Sequence, residues 1–421
     1  MRSNYKPLGD YICPCEEFND GMKVTELLGI NNVKYFQDSH TNTIGIDLQG
    51  YRIVRKGQFA YNRATTRNGD KISIALRQGD DCIVSPSYRV FESKDENVLN
   101  SEYLMMWFRR PEFDRYARFK SHGSAHEYFE LEQMYEVELP IPHIDKQREI
   151  VAEYNTIIKR IDLNNQLIQK LEETAQAIYK QWFVDFEFPF DFAQGKPNEN
   201  GEPYKSAGGE MEFNKELDRE IPVGWEVLPL KSICSKIGSG ATPKGGKTNY
   251  AKSGISLIRS QNVYDYLFQP EDIAFINNNQ AKQLENVTVQ EKDVLFNITG
   301  VSVARCCMVP KFILPARVNQ HVMIVRASSD YSFPHYILLY LCHSDNKSKL
   351  LGISQSGSTR EAITKKEVED FQVLLPESNL AKQFEFNMEK IFNTIEAKVL
   401  QNKHLEDLRQ TLLSKLSTVE N

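Results

Sequence analysis

The sequence predicts an α+β fold: two tandem domains of mixed α/β structure are joined by two long helices that form an antiparallel coiled coil, as a pseudo-twofold repeat. Three observations predict it. The chain repeats itself, each copy carries short β-rich runs between Gly, Asn and Ser turns, and each copy ends in a long apolar heptad pattern. A chain of 421 residues, 41% of them hydrophobic, is long enough for two or three domains with buried cores.

The internal repeat has a near-constant offset of about 235 positions. The matched segments are Lys56–Asn62 with Glu291–Asn297, Tyr103–Phe108 with Tyr336–Leu341, and Leu139–Pro142 with Val373–Pro376. The starts also match, as Pro7–Leu8 with Pro229–Leu230, at an offset of 222. Each match is weak alone, but their order is constant. The constant order indicates a duplicated unit.

A heptad pattern follows each copy and predicts a helix of about 40 residues, or roughly 60 Å. The two helices are the obvious partners for each other, with polar Asn164 and Asn402 fixing their register. The alternative is that each helix folds back on its own domain. The predicted helix-pair interface is Ile150, Ile157, Ile161, Asn164, Ile168, Leu171 and Ile178 with Met388, Ile391, Ile395, Asn402, Leu405, Leu408 and Leu412.

Charge is segregated along the chain, although the net charge is only -6. Segment 51–77 has seven basic residues and one acid, and segment 231–260 has six basic residues and no acid. Segment 185–220 has ten acids and four bases. This pattern fits a protein in which only certain loops face a polyanion, and a solvated face is the alternative.

The remaining composition predicts a soluble cytoplasmic protein. The seven cysteines are odd in number and include no C-x-x-C, so neither a disulfide framework nor a zinc knuckle is expected. No apolar stretch approaches the ~18–20 residues that cross a bilayer, and the N-terminus does not resemble a signal peptide.

Enzyme motifs are absent or incomplete, so we expect no catalytic residue, metal or cofactor in this chain. The loop Ala241–Thr248 resembles a phosphate loop, but a poor helix start follows it. No Asn/Asp-Pro-Pro-aromatic tetrapeptide of an adenine methyltransferase occurs, and no carboxylate cluster with a following Lys indicates a nuclease.

Polar residues that can read base edges or hold phosphates concentrate in loops at equivalent places in the two copies. Ordinary turn chemistry is the alternative reading of each. The candidate DNA-binding residues of the first copy are Asn62, Arg63, Thr66, Arg67, Asn68, Lys120, Ser121, His122, Ser124 and His126. Those of the second are Lys244, Lys247, Arg259, Gln261, Asn262, Asn297, Thr299, Gln355, Ser356, Ser358, Thr359 and Arg360. Because the two sets differ, we expect two different half-sites.

The whole chain resembles the specificity subunits of type I restriction–modification enzymes. The resemblance rests on the repeated Pro-Leu start and on motifs that are specific only together. They are Lys56–Asn62, Glu102–Arg109, Leu139–Pro142, Lys146–Ile150, Trp182–Phe186 and Ile221–Glu226.

The resemblance implies target-recognition domain 1 at 1–143, a spacer helix at 144–184, a connector at 185–228, target-recognition domain 2 at 229–377 and a second spacer helix at 378–418. It implies a bipartite, asymmetric double-stranded DNA site whose spacer the helices set. It also implies partners: two modification subunits that bind S-adenosylmethionine and methylate adenine, and restriction subunits that use ATP and Mg²⁺.

Two rival functions remain open at this point. One is a coiled-coil scaffold whose globular domains bind protein rather than DNA. The other is an enzyme in its own right, such as a stand-alone nuclease.

Overall fold

The computed structural model describes residues 5–39, 45–64, 71–122, 127–243, 249–355 and 361–419. The chain divides into two compact units. Unit 1 consists of Met1–Asp162 and His404–Asn421, and unit 2 consists of Leu163–Lys403. Each unit therefore contains part of both long helices.

Unit 1 is built on a four-stranded antiparallel sheet with the strand order β2-β9-β6-β7. Its strands are β1 (Tyr5–Pro7), β2 (Ile12–Pro14), β3 (Leu28–Ile30), β4 (Phe36–Asp38), β5 (Arg52–Val54), β6 (Phe59–Asn62), β7 (Ile74–Leu76), β8 (Cys82–Val84), β9 (Tyr88–Ser93) and β10 (Glu138–Pro140). Strand β1 pairs with β10, β3 with β4 and β5 with β8, all antiparallel.

Alternation along the strands of this sheet buries both of its faces. Phe59 and Tyr61 of β6 join one core together with Phe91 of β9, whereas Ala60 and Val90 join a second core. Because successive side chains of a strand point to opposite faces, both faces are covered. The rings of Phe59 and Phe91 stack with centroids 4.9 Å apart.

The helices of unit 1 are α1 (Ser101–Phe108), α2 (Pro111–Lys120) and α3 (Leu131–Tyr135), followed by the long α4 (Ile144–Phe183), which continues into unit 2. Asn100 caps α1, because its side chain accepts a hydrogen bond from the backbone N–H of Tyr103. Pro111 occupies the first turn of α2, where its missing N–H is tolerated.

Unit 2 repeats this plan with additions. Its strands are β11 (Pro189–Asp191), β12 (Lys196–Pro197), β13 (Glu202–Pro203), β14 (Met211–Asn214), β15 (Arg219–Pro222), β16 (Glu226–Pro229), β17 (Cys234–Ser239), β18 (Ile255–Ile258), β19 (Ala274–Ile276), β20 (Val294–Asn297), β21 (Cys306–Met308), β22 (Ala316–Val318), β23 (Val322–Ala327) and β24 (Gln372–Leu375). Its helices are α5 (Leu230–Ile233), α6 (Asn278–Gln283), α7 (Pro334–Cys342), α8 (Ser344–Gln355), α9 (Lys365–Glu369) and the long α10 (Ser378–Lys415).

The main sheet of unit 2, β17-β23-β20-β21, has the same order of equivalent strands as β2-β9-β6-β7 in unit 1. Strand β16 pairs with β24 as β1 pairs with β10. A further sheet, β19-β18-β22, has its own core around Leu257 and Val318.

Equivalent hydrogen bonds occur at matched positions of the two units. The hydroxyl of Tyr103 donates to the carbonyl of Pro140 at 3.0 Å, and the hydroxyl of Tyr336 donates to the carbonyl of Leu374. The N–H of Leu8 donates to Val137 and that of Leu230 donates to Phe371, both at 2.8 Å. The fold is therefore duplicated, as the sequence repeat predicts.

The two long helices run antiparallel in each unit. In unit 2, Asn164 bonds Asn402 while Phe183 packs edge-on against Phe384 with centroids 4.7 Å apart. In unit 1, a guanidinium N–H of Arg409 donates to the hydroxyl of Tyr154 at 3.3 Å. Residues later in α4 thus contact residues earlier in α10. The predicted antiparallel pair is confirmed.

The seam positions fall mostly on inward-facing sides of the helices. Ile150, Asn164, Ile168, Met388 and Ile395 are buried. Those that are half-buried are Ile157, Ile161, Leu171, Ile178, Ile391, Asn402, Leu405 and Leu412. Leu408 is 56% exposed, and Leu413 and Leu416 are buried instead. The heptad register slips after Asn402, so the apolar stripe of α10 turns away from Leu408. None of the helices in the described ranges is long and apolar enough to cross a membrane.

The segment predicted as a connector is folded around its aromatic residues. Strands β11–β13 and β14–β15 form two small antiparallel sheets. Phe188 stacks on Tyr204 and on Trp225, with centroids 4.6 and 5.6 Å apart. These contacts hold both ends of the segment against unit 2, whose core includes Trp225 and Phe183.

Candidate nucleic-acid interface

In unit 1 the candidate loop begins at the end of β6. The side-chain oxygen of Asn62 accepts a hydrogen bond from the N–H of Ala64 at 3.1 Å, so Asn62 shapes the turn. Arg63 lies over the ring of Tyr128 and pairs with Glu130, with 2.6 Å between Nη1 and Oε1. Thr66, Arg67 and Asn68 lie outside the described residues.

A cluster of three guanidinium groups, Arg52, Arg63 and Arg89, surrounds this loop base. Burial lowers the pKa of Arg52, and the nearby charges of Arg89 and Arg63 lower it further. Glu130 contacts Arg63 at 2.6 Å and Arg89 at 3.5 Å. Because Glu130 is shared by two arginines and Glu16 acts on Arg52, three guanidinium groups face two carboxylates, and the surplus of positive charge favours an anionic ligand.

The second candidate loop of unit 1 follows α2. Lys120 pairs with Glu136 at 2.7 Å, and the buried hydroxyl of Ser121 donates to the carbonyl of Ala117. His122 is exposed, and its backbone forms a two-way bridge with Tyr128. Ser121 therefore ends the helix, and among the described members of this group His122 is the exposed one. Ser124 and His126 lie outside the described residues.

Two candidates of unit 2 serve the scaffold beneath the loops. Asn262 is fully buried and donates to the carbonyls of Gln269 and Glu271 at 3.0 and 3.1 Å. Asn297 is also fully buried and donates to the carbonyl of Ser260 at 3.0 Å. These two amides hold the loops in place, because buried backbone carbonyls need donors.

Thr299 belongs to a hydrogen-bonded set of polar side chains at the surface of unit 2. Its hydroxyl lies 2.6 Å from Nδ1 of His321, and Nε2 of His321 lies 3.0 Å from the amide nitrogen of Gln320. Gln320 accepts in turn from the hydroxyl of Thr242. Because the amide nitrogen of Gln320 can only donate, a neutral His321 ring would carry its proton on Nδ1, and the hydroxyl hydrogen of Thr299 would then be available to an outside acceptor.

Arg259, Gln261 and Gln355 are the remaining candidates of unit 2 within the described residues. Arg259 lies over the ring of Tyr250 and donates to the carbonyl of Asp272. Gln261 and Gln355 are exposed. Lys244, Lys247, Ser356, Ser358, Thr359 and Arg360 lie outside the described residues.

Several residues near the candidate loops of each unit were not predicted from the sequence. Arg52 and Arg89 occupy strands rather than turns, and Arg305, which lies over exposed Tyr264 at 4.9 Å, follows a loop without a basic run. His321 is 22 positions from Thr299, and the sequence gives no sign of their contact.

The described residues contain no group of three or more His, Cys, Asp or Glu side chains arranged to hold a metal ion. All seven cysteines are free thiols. Burial, and after it the negative charge of Glu92, raise the pKa of the Cys15 thiol to about 12. This thiol is therefore held in its unreactive protonated form. The site offers hydrogen-bond donors, acceptors and positive charge.

The chain is thus a duplicated fold whose two units carry unlike polar loops and share two long helices. The family model described as "Type I restriction modification DNA specificity domain" matches residues 29–173 and 222–406. The chain belongs to this family, whose members are the specificity subunits of type I restriction–modification systems.

Relatives and a solved structure agree with this assignment. The chain is 27% identical over 323 residues to the type I restriction enzyme MjaIX specificity subunit of Methanocaldococcus jannaschii, covering 75% of this chain and 68% of that one. It is 20% identical over 425 residues to the HindI specificity subunit of Haemophilus influenzae, covering 91% of each. The crystal structure of an S subunit from M. genitalium covers 99% of this chain and 96% of its own, with a TM-score of 0.56 at 13% identity. The fold is thus that of an S subunit.

Proposed function

We propose that this chain is the DNA-reading component of a type I restriction–modification complex and that it binds a bipartite, asymmetric site. Unit 1 reads one half-site and unit 2 reads the other. The helix pair sets the number of unread base pairs between them. One observation carries the proposal: the main sheets of the units share their strand order, but the equivalent loops differ. The loop after β6 carries Arg63, whereas the loop after β20 carries Thr299, which contacts His321.

The side chains divide by chemistry into two roles. Arg52 and Arg89, together with Lys244 and Lys247, contact phosphates, since their charge is sequence-independent. Exposed His122, Gln261 and Gln355, with Thr299 and His321, contact base edges, because they offer directional donors and acceptors. Asn62, Ser121, Asn262 and Asn297 position the loops from beneath.

The chemistry of the complex lies on partner subunits. Two modification subunits bind S-adenosylmethionine and methylate adenine, and restriction subunits use ATP and Mg²⁺ to translocate and cleave. This chain supplies recognition alone and no catalytic residue. A protein that serves chromosomal DNA in this way acts in the cytoplasm.

Salt dependence of DNA binding tests this proposal. With the modification subunits present, the logarithm of the DNA association constant should fall steeply and linearly with the logarithm of salt concentration. A flat dependence would favour the scaffold protein whose domains bind protein. DNA cutting by the rigorously purified chain with Mg²⁺ and ATP would instead favour a stand-alone nuclease.

A further inference from the structure

Val301 is the most exposed of the large apolar residues in the described part of the chain, at 97%. It stands in the short turn Gly300–Ser302 between β20 and β21. A single exposed apolar residue needs no explanation in itself. Two further properties of Val301, its rigid support and its polar surroundings, set it apart.

The turn that carries Val301 is fixed from both sides. Val303 and Ala304 are 4% and 0% exposed, so the chain is buried two residues after Val301. The N–H of Gly300 donates to the carbonyl of Glu361, and the N–H of Val303 donates to the carbonyl of Gly300, both at 2.9 Å. A β-branched side chain on a fixed backbone has few rotamers to lose on binding.

The residues around Val301 are suited to nucleic acid. Thr299 lies two positions before it and bonds His321, and Arg305 lies four positions after it over the ring of Tyr264. In unit 1 the sequence of the equivalent segment, residues 63–71, contains no large apolar residue, so Val301 distinguishes the second segment from the first.

We propose that Val301 is a specificity-determining residue that packs against the 5-methyl group of a thymine in the half-site read by unit 2. This inference rests on the proposed function. The thymine methyl is the apolar group that base pairs present in the major groove, where the polar neighbours of Val301 also find distinguishable base edges. A wedge between base steps is less suited to valine, because such wedges use longer or bulkier side chains.

Replacing thymine by uracil in the DNA isolates this contact, since it removes the methyl group and nothing else. The assembled complex with its modification subunits is titrated with DNA duplexes that contain the recognition sequence, which is identified from the sites that the complex methylates. Each duplex carries one deoxyuridine in place of one thymidine of that half-site, on either strand. For the wild type we expect one position at which uracil weakens binding about fourfold, the value of one buried methyl group.

The V301A complex should bind the all-thymine target about as weakly as the wild type binds that uracil duplex, and should be indifferent to uracil at that position. V223A is the matched control, because Val223 is 49% exposed in the turn before Trp225. It should retain the wild-type response. Equal melting temperatures of wild type and V301A would show that folding is unchanged.

A wild type and a V301A complex that respond alike to uracil at every position would overturn the role of Val301 while leaving DNA recognition intact. A wild-type complex that binds every uracil duplex as tightly as the all-thymine target would overturn this inference, whereas one that binds the target no more tightly than an unrelated duplex would overturn the proposed function as well. Loss of subunit assembly in V301A, with DNA binding unaltered, would assign Val301 to a protein contact instead.

Discussion

The side-chain amide of Asn164 donates to the side-chain oxygen of Asn402 across the helix pair, at 2.8 Å. The amide of Asn402 donates in turn to the oxygen of Asn165 at 2.7 Å. Asn164 is 2% exposed, so its polar atoms depend on this partner. An amide pair in an apolar seam is satisfied in one register, and a shifted register would bury it unpaired.

Removal of one partner should destabilise the pair. N402A leaves the Asn164 amide buried with no acceptor, and we expect unit 2 to lose about 1–3 kcal/mol of unfolding free energy. Urea unfolding followed by tryptophan fluorescence measures this, because Trp182 and Trp225 lie in unit 2. N165A removes a hydrogen bond at an exposed position and should cost about 0.5 kcal/mol or less. Equal losses for the two variants would contradict the role given to Asn164.

The sequence predicted this pair because heptad periodicity is a local signal, and one polar residue in a regular apolar seam stands out. The duplication was likewise readable, since matched segments keep their order. The structure of the loops was harder to predict from the sequence. Asn62 and Asn297 occupy equivalent places, but Asn297 is fully buried beneath its loop, and burial depends on segments distant in sequence. The contact between Thr299 and His321, and the exposure of Val301, are set by packing for the same reason.

A buried ion pair should make a large contribution to unit 2. Asp293 is fully buried and accepts two hydrogen bonds from Arg326, at 2.6 and 2.8 Å. D293A leaves the guanidinium without its partner and should cost about 3–5 kcal/mol. Thermal unfolding measures the loss. The control is E291A, whose exposed partner Lys311 lies 3.3 Å away, and it should cost about 1 kcal/mol or less. Similar melting temperatures for the two variants would refute the distinction.

A carboxyl group on α4 should make stability depend on pH. Burial raises the pKa of Glu172 to about 7, and its Oε1 atom has no hydrogen-bond partner. Because the folded pKa exceeds the unfolded one, the contribution of this group to stability is full below about pH 4.5 and is lost as pH rises from there through about 7. E172Q should therefore match the wild type at pH 5 and be more stable at pH 8, by about 1 kcal/mol after allowance for solvent screening. If urea unfolding showed that E172Q is more stable than the wild type only at pH 5, the predicted direction of the pH dependence would be wrong.

The arginine cluster of unit 1 should contribute to DNA binding without base preference. R52Q and R89Q should each weaken binding of all sequences by a similar factor and reduce the salt slope by about one. Filter binding of the complex over a range of salt concentrations gives the slope. R115Q is the control, because Arg115 is 69% exposed on helix α2 and pairs with Glu112. Unchanged slopes in R52Q and R89Q would remove these arginines from the DNA interface.

The central claim is that two unlike units read two half-sites at a distance set by the helix pair. Single-molecule sequencing of methylated DNA from cells that express this chain with its modification subunits tests the claim most directly. We predict one asymmetric motif, with two short specified parts separated by a fixed number of unspecified base pairs and one methylated adenine in each part. A continuous palindromic motif, or no motif that depends on this chain, would contradict the account.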